Sequence, residues 1–116
     1  MKYDLEERTR NFAKNIISLM MKLTQNSINK RMIEQLIGSG GSVGANYCEA
    51  NEAESKKDFI HKIGICKKEI KEIRYWLNLL LHVNLNHSSE FKPLISESQE
   101  LLLILSKIIS TCRNKV

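Results

Sequence analysis

The sequence lacks the features that mark a disordered, exported or membrane-spanning chain. It holds one proline in 116 residues, and 42% of its residues are apolar, so we expect an ordered chain with a real core. Its longest unbroken apolar run, residues 101–105, is far too short to cross a bilayer. The first residues mix charges without an apolar segment, so no secretory signal is predicted. We expect a single cytoplasmic domain over residues 1–116, without membrane contact.

Cysteine and histidine are scarce, and their spacing argues against a metal site. Cys48, Cys66 and Cys112 are widely spaced and include no Cys-x-x-Cys pair. They are typical of small apolar residues in a reducing cytoplasm. A di-iron bundle needs two Glu-x-x-His elements, and this chain has only one related pair, Asp58 and His61. We therefore predict no metal, no cofactor and no catalytic residues, and a protein that is not an enzyme.

The charge balance of the chain is basic. Lys and Arg number 18 against 13 Asp and Glu, which gives a net charge of +5 and a pI near 9.2. Such a balance favours anionic partners, nucleic acid before an anionic membrane surface. Solubility alone also explains a modest positive charge on a small protein, so composition leaves both interpretations open.

The spacing of apolar residues predicts four helices. The first covers residues 4–24, where apolar residues recur at steps of three, four or seven. The next begins within residues 24–30, which are rich in cap-forming Thr, Asn and Ser. The third covers residues 55–85 with Ser55 as its N-cap, and Pro93 suits the first turn of the fourth. The apolar stripe of the third helix consists of Phe59, Ile63, Cys66, Ile70, Ile73, Leu77 and Leu80.

These helices predict an all-α fold. Heptad stripes run along the first and last helices, with Thr9 and Ser98 filling positions that lack an apolar residue. Helices of this length joined by short polar turns form an antiparallel up-down-up-down four-helix bundle. We expect that architecture here.

The segment LIGSGGSVGANYCEANEA, residues 36–53, allows more than one interpretation. As a helix it keeps an apolar side, but each interior glycine costs up to about 1 kcal/mol relative to alanine. Close approach of another helix backbone would offset that cost. Alternatively, Gly38 to Gly41 end one helix and Ser42 caps another. A phosphate-binding loop is not predicted, because neither the Gly-Lys-Ser/Thr ending nor a βαβ unit is present.

A polar stripe follows the glycines. Ser42, Asn46, Glu49 and Ala53 are spaced by four, three and four, which places them on one side of a helix. They suit a ladder of hydrogen bonds between helices, either within the bundle or between subunits. An exposed polar face fits the same spacing.

Charges on the third helix separate to either side of its apolar stripe when projected at about 100° per residue. The basic flank contains Lys57, Lys67, Lys68, Lys71 and Arg74, and the opposite flank contains Asp58, Glu69 and Glu72 with Trp76. One interpretation is a solvated face with a weak Lys68–Glu72 pair. Another is a head-to-tail subunit interface, and a third is a surface for phosphates. Tyr75 beside this flank could stack on an unpaired base or serve packing.

The stretch GSVGANYCEANEAESKKDFIHKIGICKKEIKEIRYWLNLL strongly resembles a bacterial four-helix-bundle family first noticed in intervening sequences of 23S ribosomal RNA genes. That family has a signature close to Ser-Ile-Gly-Ala-Asn-x-x-Glu-Ala, then Ser-Lys-Lys-Asp-Phe-Ile-His-Lys and later Tyr-Trp-Leu. The close match covers residues 35–81. Its matching signature positions here are Ser42, Gly44, Asn46 and Glu49.

The resemblance implies a left-turning antiparallel bundle in which the signature stretch is helical and structural. It implies self-association, with homopentamers the best-known form. A related branch, the accessory variability protein of diversity-generating retroelements, is a basic pentamer that engages RNA and a reverse transcriptase. One departure matters, since relatives usually carry arginine where this chain has Gly38, which weakens any RNA contact carried over from that position.

Together these observations predict a non-enzymatic homo-oligomer, a pentamer by resemblance, with RNA as its partner. The candidate RNA-binding residues are Lys57, Lys67, Lys68, Lys71, Arg74 and Tyr75. The alternative is a protein–protein adaptor that binds no nucleic acid.

Overall fold

Four α-helices build the chain in a computed structural model that describes residues 4–114. In chain order they are α1 (Leu5–Met20), α2 (Ser27–Asn51), α3 (Lys56–Val83) and α4 (Ser88–Asn114), with a short 3-10 turn, Leu85–His87, before α4. No strand occurs among these residues. The prediction of an all-α bundle is confirmed, and the two ends of the predicted domain, 1–3 and 115–116, lie outside the described residues.

The helices pack in an up-down-up-down order. Each helix contacts the two helices beside it, no diagonal pair is in contact within residues 4–114, and the contact between α1 and α4 is the smallest. The molecule measures 51 × 21 × 20 Å, the proportions expected for helices of this length lying side by side.

Side-chain caps fix where three helices begin. Asp4 accepts a hydrogen bond from the Glu7 amide at 3.2 Å and Asn26 one from the Asn29 amide at 2.8 Å. Ser55 accepts one from the Asp58 amide at 3.0 Å, as predicted for the N-cap of α3. These oxygens satisfy amides that have no partner within a helix.

The first helix is shorter than predicted. It ends at Met20 rather than near residue 24. Leu23 keeps the heptad register and is buried, but it lies in the turn after the helix. A turn can therefore continue an apolar stripe, and periodicity alone overestimates the length of α1.

The predicted start of the last helix is also wrong. α4 begins at Ser88, so Pro93 lies in its second turn rather than its first. Proline there removes the hydrogen bond that the carbonyl of Ser89 would otherwise accept. The reason for the early start is Phe91, which is completely buried and lies three residues before Leu94 in the same stripe. Burying a phenylalanine contributes about 1.5–3 kcal/mol, which offsets the lost bond.

The core follows the predicted heptads closely. Every member of the α3 stripe after Phe59 is buried, and Phe59 itself is half-buried. The two predicted polar gap-fillers, Thr9 and Ser98, are buried as well. Their hydroxyls donate to the backbone carbonyls of Leu5 and Ile95, each at 2.6 Å. Back-bonding of this kind lets a hydroxyl occupy a core position without an unsatisfied donor.

A pair of buried carboxamides joins the two turns at one end of the bundle. Asn84 Nδ2 donates to Asn29 Oδ1 at 2.9 Å and Asn29 Nδ2 donates to Asn84 Oδ1 at 3.2 Å. The remaining donors reach the carbonyls of Thr24, at 2.9 Å, and Leu80, at 2.8 Å. The pair thus ties the α1–α2 turn and the start of α2 to the end of α3.

Candidate nucleic-acid interface

The outer surface of α3 carries the predicted basic residues. Lys57, Lys68 and Lys71 are exposed, whereas Lys67 and Arg74 are half-buried. None of these five cations lies within 4.0 Å of a carboxylate in the described part of the chain. No ion pair with residues 4–114 therefore neutralises their charges.

One residue of the acidic flank of α3, Glu72, contacts α2. Glu72 accepts a hydrogen bond from the buried Ser39 hydroxyl at 3.1 Å. It does not form the predicted ion pair with Lys68 within 4.0 Å. The Ser39 contact could not be predicted from the sequence, because it depends on how α2 is rotated against α3.

Arg74 differs from the lysines because part of its guanidinium is buried. Its Nε atom has no hydrogen-bond partner among the described residues, and an unsatisfied buried donor costs about 1–3 kcal/mol. Its backbone carbonyl accepts from Asn78 Nδ2 at 2.8 Å. The Arg74 side chain therefore lies against the bundle, and its Nε–H group has no acceptor among the described residues.

Tyr75 lies on the same surface with its ring largely open. Its exposed fraction is 60%, and its ring meets that of Trp76 edge-to-face, with centroids 5.1 Å apart and planes at 78°. Trp76 is half-buried and is the single tryptophan of the chain. Such T-shaped pairs are preferred for aromatic rings, so Trp76 restrains the orientation of an exposed tyrosine.

The signature stripe of α2 is placed along its edge toward α3. Asn46 Nδ2 donates to the Ser42 carbonyl at 2.9 Å and to the Ser42 hydroxyl at 3.0 Å, both within α2. Only Glu49 reaches the neighbouring helix, through an ion pair with Lys62 Nζ at 3.1 Å. Ser42 and Asn46 are half-buried and Glu49 is exposed. Within the protomer the predicted interhelical ladder is thus reduced to one contact, and its role between subunits stays a prediction.

The glycine segment is helical throughout, so the loop interpretation is wrong. α2 continues to Asn51 without a positive φ angle. The expected close approach of a second helix backbone is also wrong within the protomer. A Cβ atom on Gly40 would lie 3.8 Å from Ile16 Cδ1 and one on Gly44 3.6 Å from Thr9 Oγ1, which are ordinary contacts. At Gly38 and Gly41 it would meet no atom within 4 Å.

A groove opens between the first turns of α2 and the second half of α3. It has a volume of about 750 Å³, and its apolar lining comes from Ile28, Met32 and Trp76. Ile28 is 61% exposed, so this part of the lining is open to solvent. This apolar surface adjoins the acidic flank of α3 rather than the basic one.

Cys66 is a core residue rather than a reactive thiol. Cys66 is fully buried, its thiol donates to the Val43 carbonyl at 3.5 Å, and burial raises its pKa to about 12. A thiol held neutral in this way is inert. Across residues 4–114, no group of three or more His, Cys, Asp and Glu side chains is placed to hold a metal ion. No helix of the described part is long and apolar enough to span a membrane.

Comparison with known proteins identifies relatives of the chain. A family model described as "23S rRNA-intervening sequence protein" matches residues 1–107. The chain is also similar to a protein of unknown function from the S23 ribosomal protein family of Bacteroides thetaiotaomicron, whose crystal structure was determined at 1.70 Å. The two share 34% identity and a TM-score of 0.81, over 90% of this chain and 96% of that chain. No curated protein matches the chain. With nearly its full length matched and the same fold in a relative, the chain belongs to the 23S rRNA-intervening sequence protein family.

Proposed function

We propose that this protein is a non-enzymatic homo-oligomer, a pentamer, that binds RNA through the outer surface of α3. The observation that carries the proposal is the set of five cations on one helix without a carboxylate partner among the described residues. Unpaired cations on a single face are the electrostatic footprint of a phosphate-binding surface. The basic net charge of +5 adds a favourable long-range field.

Oligomerisation would multiply a modest patch. Each protomer offers only a few phosphate contacts, and linked copies raise the effective concentration of the second and later contacts. Two features support self-association. Gly38 and Gly41 are exposed in a helix interior where their own protomer leaves room for a side chain, and Ile28 and Trp76 leave an apolar groove open. A second copy packed on α2 would give both features a function.

As part of the same proposal, we take the pentamer from the family resemblance, because a related branch, the accessory variability protein of diversity-generating retroelements, is a basic pentamer. Because Gly38 replaces the basic residue usual in relatives, we place the RNA contact on α3 rather than on α2. Location in the cytoplasm, where RNA is available, belongs to the same proposal.

Charge reversal on α3 tests the RNA surface. Replacing Lys67, Lys68 and Lys71 with glutamate should lower the affinity for a labelled RNA by at least about 100-fold at low salt, and should flatten its salt dependence because fewer counterions are released. Fluorescence anisotropy measures both quantities.

A matched control reverses the same number of charges elsewhere. Lys14, Lys92 and Lys107 are exposed, lie on α1 and α4, and have no carboxylate within 4.0 Å in the described part of the chain. Their replacement with glutamate should reduce affinity only a few-fold. Equal losses in the two triple variants would show that net charge alone matters and would contradict a binding surface on α3.

A second candidate, the protein–protein adaptor, is favoured by the apolar groove of Ile28, Met32 and Trp76. Native mass spectrometry of protein purified without nuclease distinguishes the two. A ring mass with bound oligonucleotide supports RNA binding, whereas a ring with a protein partner that survives nuclease treatment supports the adaptor. A monomer would remove the argument from multivalency.

A further inference from the structure

The exposed face of α3 combines cations with one open aromatic ring. Lys68, Lys71 and Tyr75 are separated by three and four residues, so they lie on one face within about 10 Å along the helix axis. Lys57 and Gly64 lie on the same side of the helix as Tyr75, because they precede it by eighteen and eleven residues. Glu72, on the other flank of the helix, points toward α2, where it accepts the hydrogen bond from Ser39.

Among the aromatic residues within 4–114, Tyr75 is the one with a largely exposed ring. Phe12 and Phe91 are 2% and 0% exposed, and they fill the core in the usual way. Tyr75 is 60% exposed and forms no hydrogen bond through its side chain with another described residue. An open ring beside unpaired cations is the arrangement that binds unpaired bases, since bases stack on the ring while cations contact the phosphates.

We infer that the α3 surface recognises single-stranded RNA, with an unpaired base stacked on Tyr75 while Lys68 and Lys71 contact the neighbouring phosphates. This inference rests on the proposed RNA-binding function and specifies its ligand class. In a duplex the faces of the bases are covered by their neighbours, so a tyrosine on a straight helix meets only backbone. Single strands offer both base and phosphate to the same surface.

The orientation of Tyr75 supports this role. Its edge-to-face contact with Trp76, at 5.1 Å between centroids, restrains the ring before any ligand binds. A restrained aromatic side chain loses little conformational freedom on binding. Because Trp76 is the only tryptophan, its fluorescence reports directly on events at Tyr75.

The test compares a 12-nucleotide oligouridine with a 12-base-pair RNA duplex at the same salt concentration. Tyr75→Ala should weaken oligouridine binding by about 10- to 100-fold, the cost of one lost stacked base, and leave duplex binding unchanged. The slope of affinity against salt should stay the same, because phosphate contacts remain. Tyr75→Phe should retain wild-type affinity. Oligouridine, but not the duplex, should change Trp76 emission in the wild-type protein.

Leu103→Ala is the matched control, since it removes another exposed apolar side chain, 59% accessible, from α4. It should leave binding of both RNAs unchanged. If the wild-type protein binds neither RNA, the proposed function itself fails. If it binds both and Tyr75→Ala has no effect, or weakens both equally, only the inference on single strands is refuted. A change in oligomer mass in Tyr75→Ala would also refute it and would place the ring in a subunit contact.

Discussion

The buried carboxamide pair gives a stability prediction whose size follows from the contacts. Asn29 is 2% exposed and Asn84 is 7% exposed. In the variant Asn84→Ala, Asn29 Oδ1 loses its donor, which lies at 2.9 Å, and the Leu80 carbonyl loses another at 2.8 Å. Each buried polar group left without a partner costs about 1–3 kcal/mol. We therefore expect the free energy of unfolding to fall by about 2–4 kcal/mol, a large share of a typical total.

The double variant separates this mechanism from a simple loss of packing. Once both carboxamides are gone, neither leaves the other unsatisfied. Asn29→Ala together with Asn84→Ala should therefore cost about 1–2 kcal/mol less than the sum of the two single variants. If the two carboxamides did not interact, the losses in the single variants would instead add.

Urea unfolding followed by circular dichroism, extrapolated to zero denaturant, measures these energies. All variants need the same protein concentration, because association contributes to apparent stability. Asn15→Ala, at an exposed position on α1, is the control and should change stability by less than about 0.5 kcal/mol. Additivity of the two core substitutions within about 0.5 kcal/mol, or single effects as small as the control, would refute the reasoning.

Three further predictions concern other positions. Gly41→Ala should raise the free energy of unfolding in urea by up to about 1 kcal/mol, because alanine is favoured over glycine in a helix and a Cβ atom there meets nothing within 4 Å. A lower stability would show that α2 packs on a second copy. Arg8→Ala should lower the free energy of unfolding by about 1 kcal/mol. The reason is that Arg8 Nε and Nη2 donate to Glu97 at 2.8 and 2.7 Å across the partly exposed seam between α1 and α4. An unchanged urea midpoint would contradict this prediction. The hydrogen bond from His87 lowers the pKa of the Glu90 carboxyl in the folded protein. The stability that ionised Glu90 contributes is therefore present above the ordinary carboxyl pKa and is lost as the pH falls through the lowered pKa. Between about pH 6 and acidic pH, the melting temperature of Glu90→Gln should accordingly fall less than that of the wild-type protein. An unchanged dependence of the melting temperature on pH would contradict this prediction.

Local periodicity was sufficient to predict most of the fold. The α3 stripe and the Ser55 cap depend on residues within one or two turns of each other, whereas periodicity left helix and loop open for the glycine segment of α2. Such features repeat in the sequence, and helical geometry alone converts them into a face or an end.

Features that depend on two helices could not be predicted in this way. The Asn29–Asn84 pair and the bond from Ser39 to Glu72 require the rotation and offset of one helix against another. The early start of α4 has a similar cause, because the burial of Phe91 against the bundle outweighs the local preference for a proline in the first turn. For the candidate site, sequence supplied the residues, and packing determined which of them remain open.

The order of contacts along the chain also has a consequence for how fast the bundle forms. α1 with α2, α2 with α3 and α3 with α4 are all neighbours in sequence, and within residues 4–114 the small contact between α1 and α4 is the only one between helices that are not consecutive. Folds dominated by such local contacts reach the native state in microseconds to milliseconds. Closing the seam where Arg8 meets Glu97 would then be a late event. Substitutions in that seam should therefore accelerate unfolding and leave the folding rate nearly unchanged.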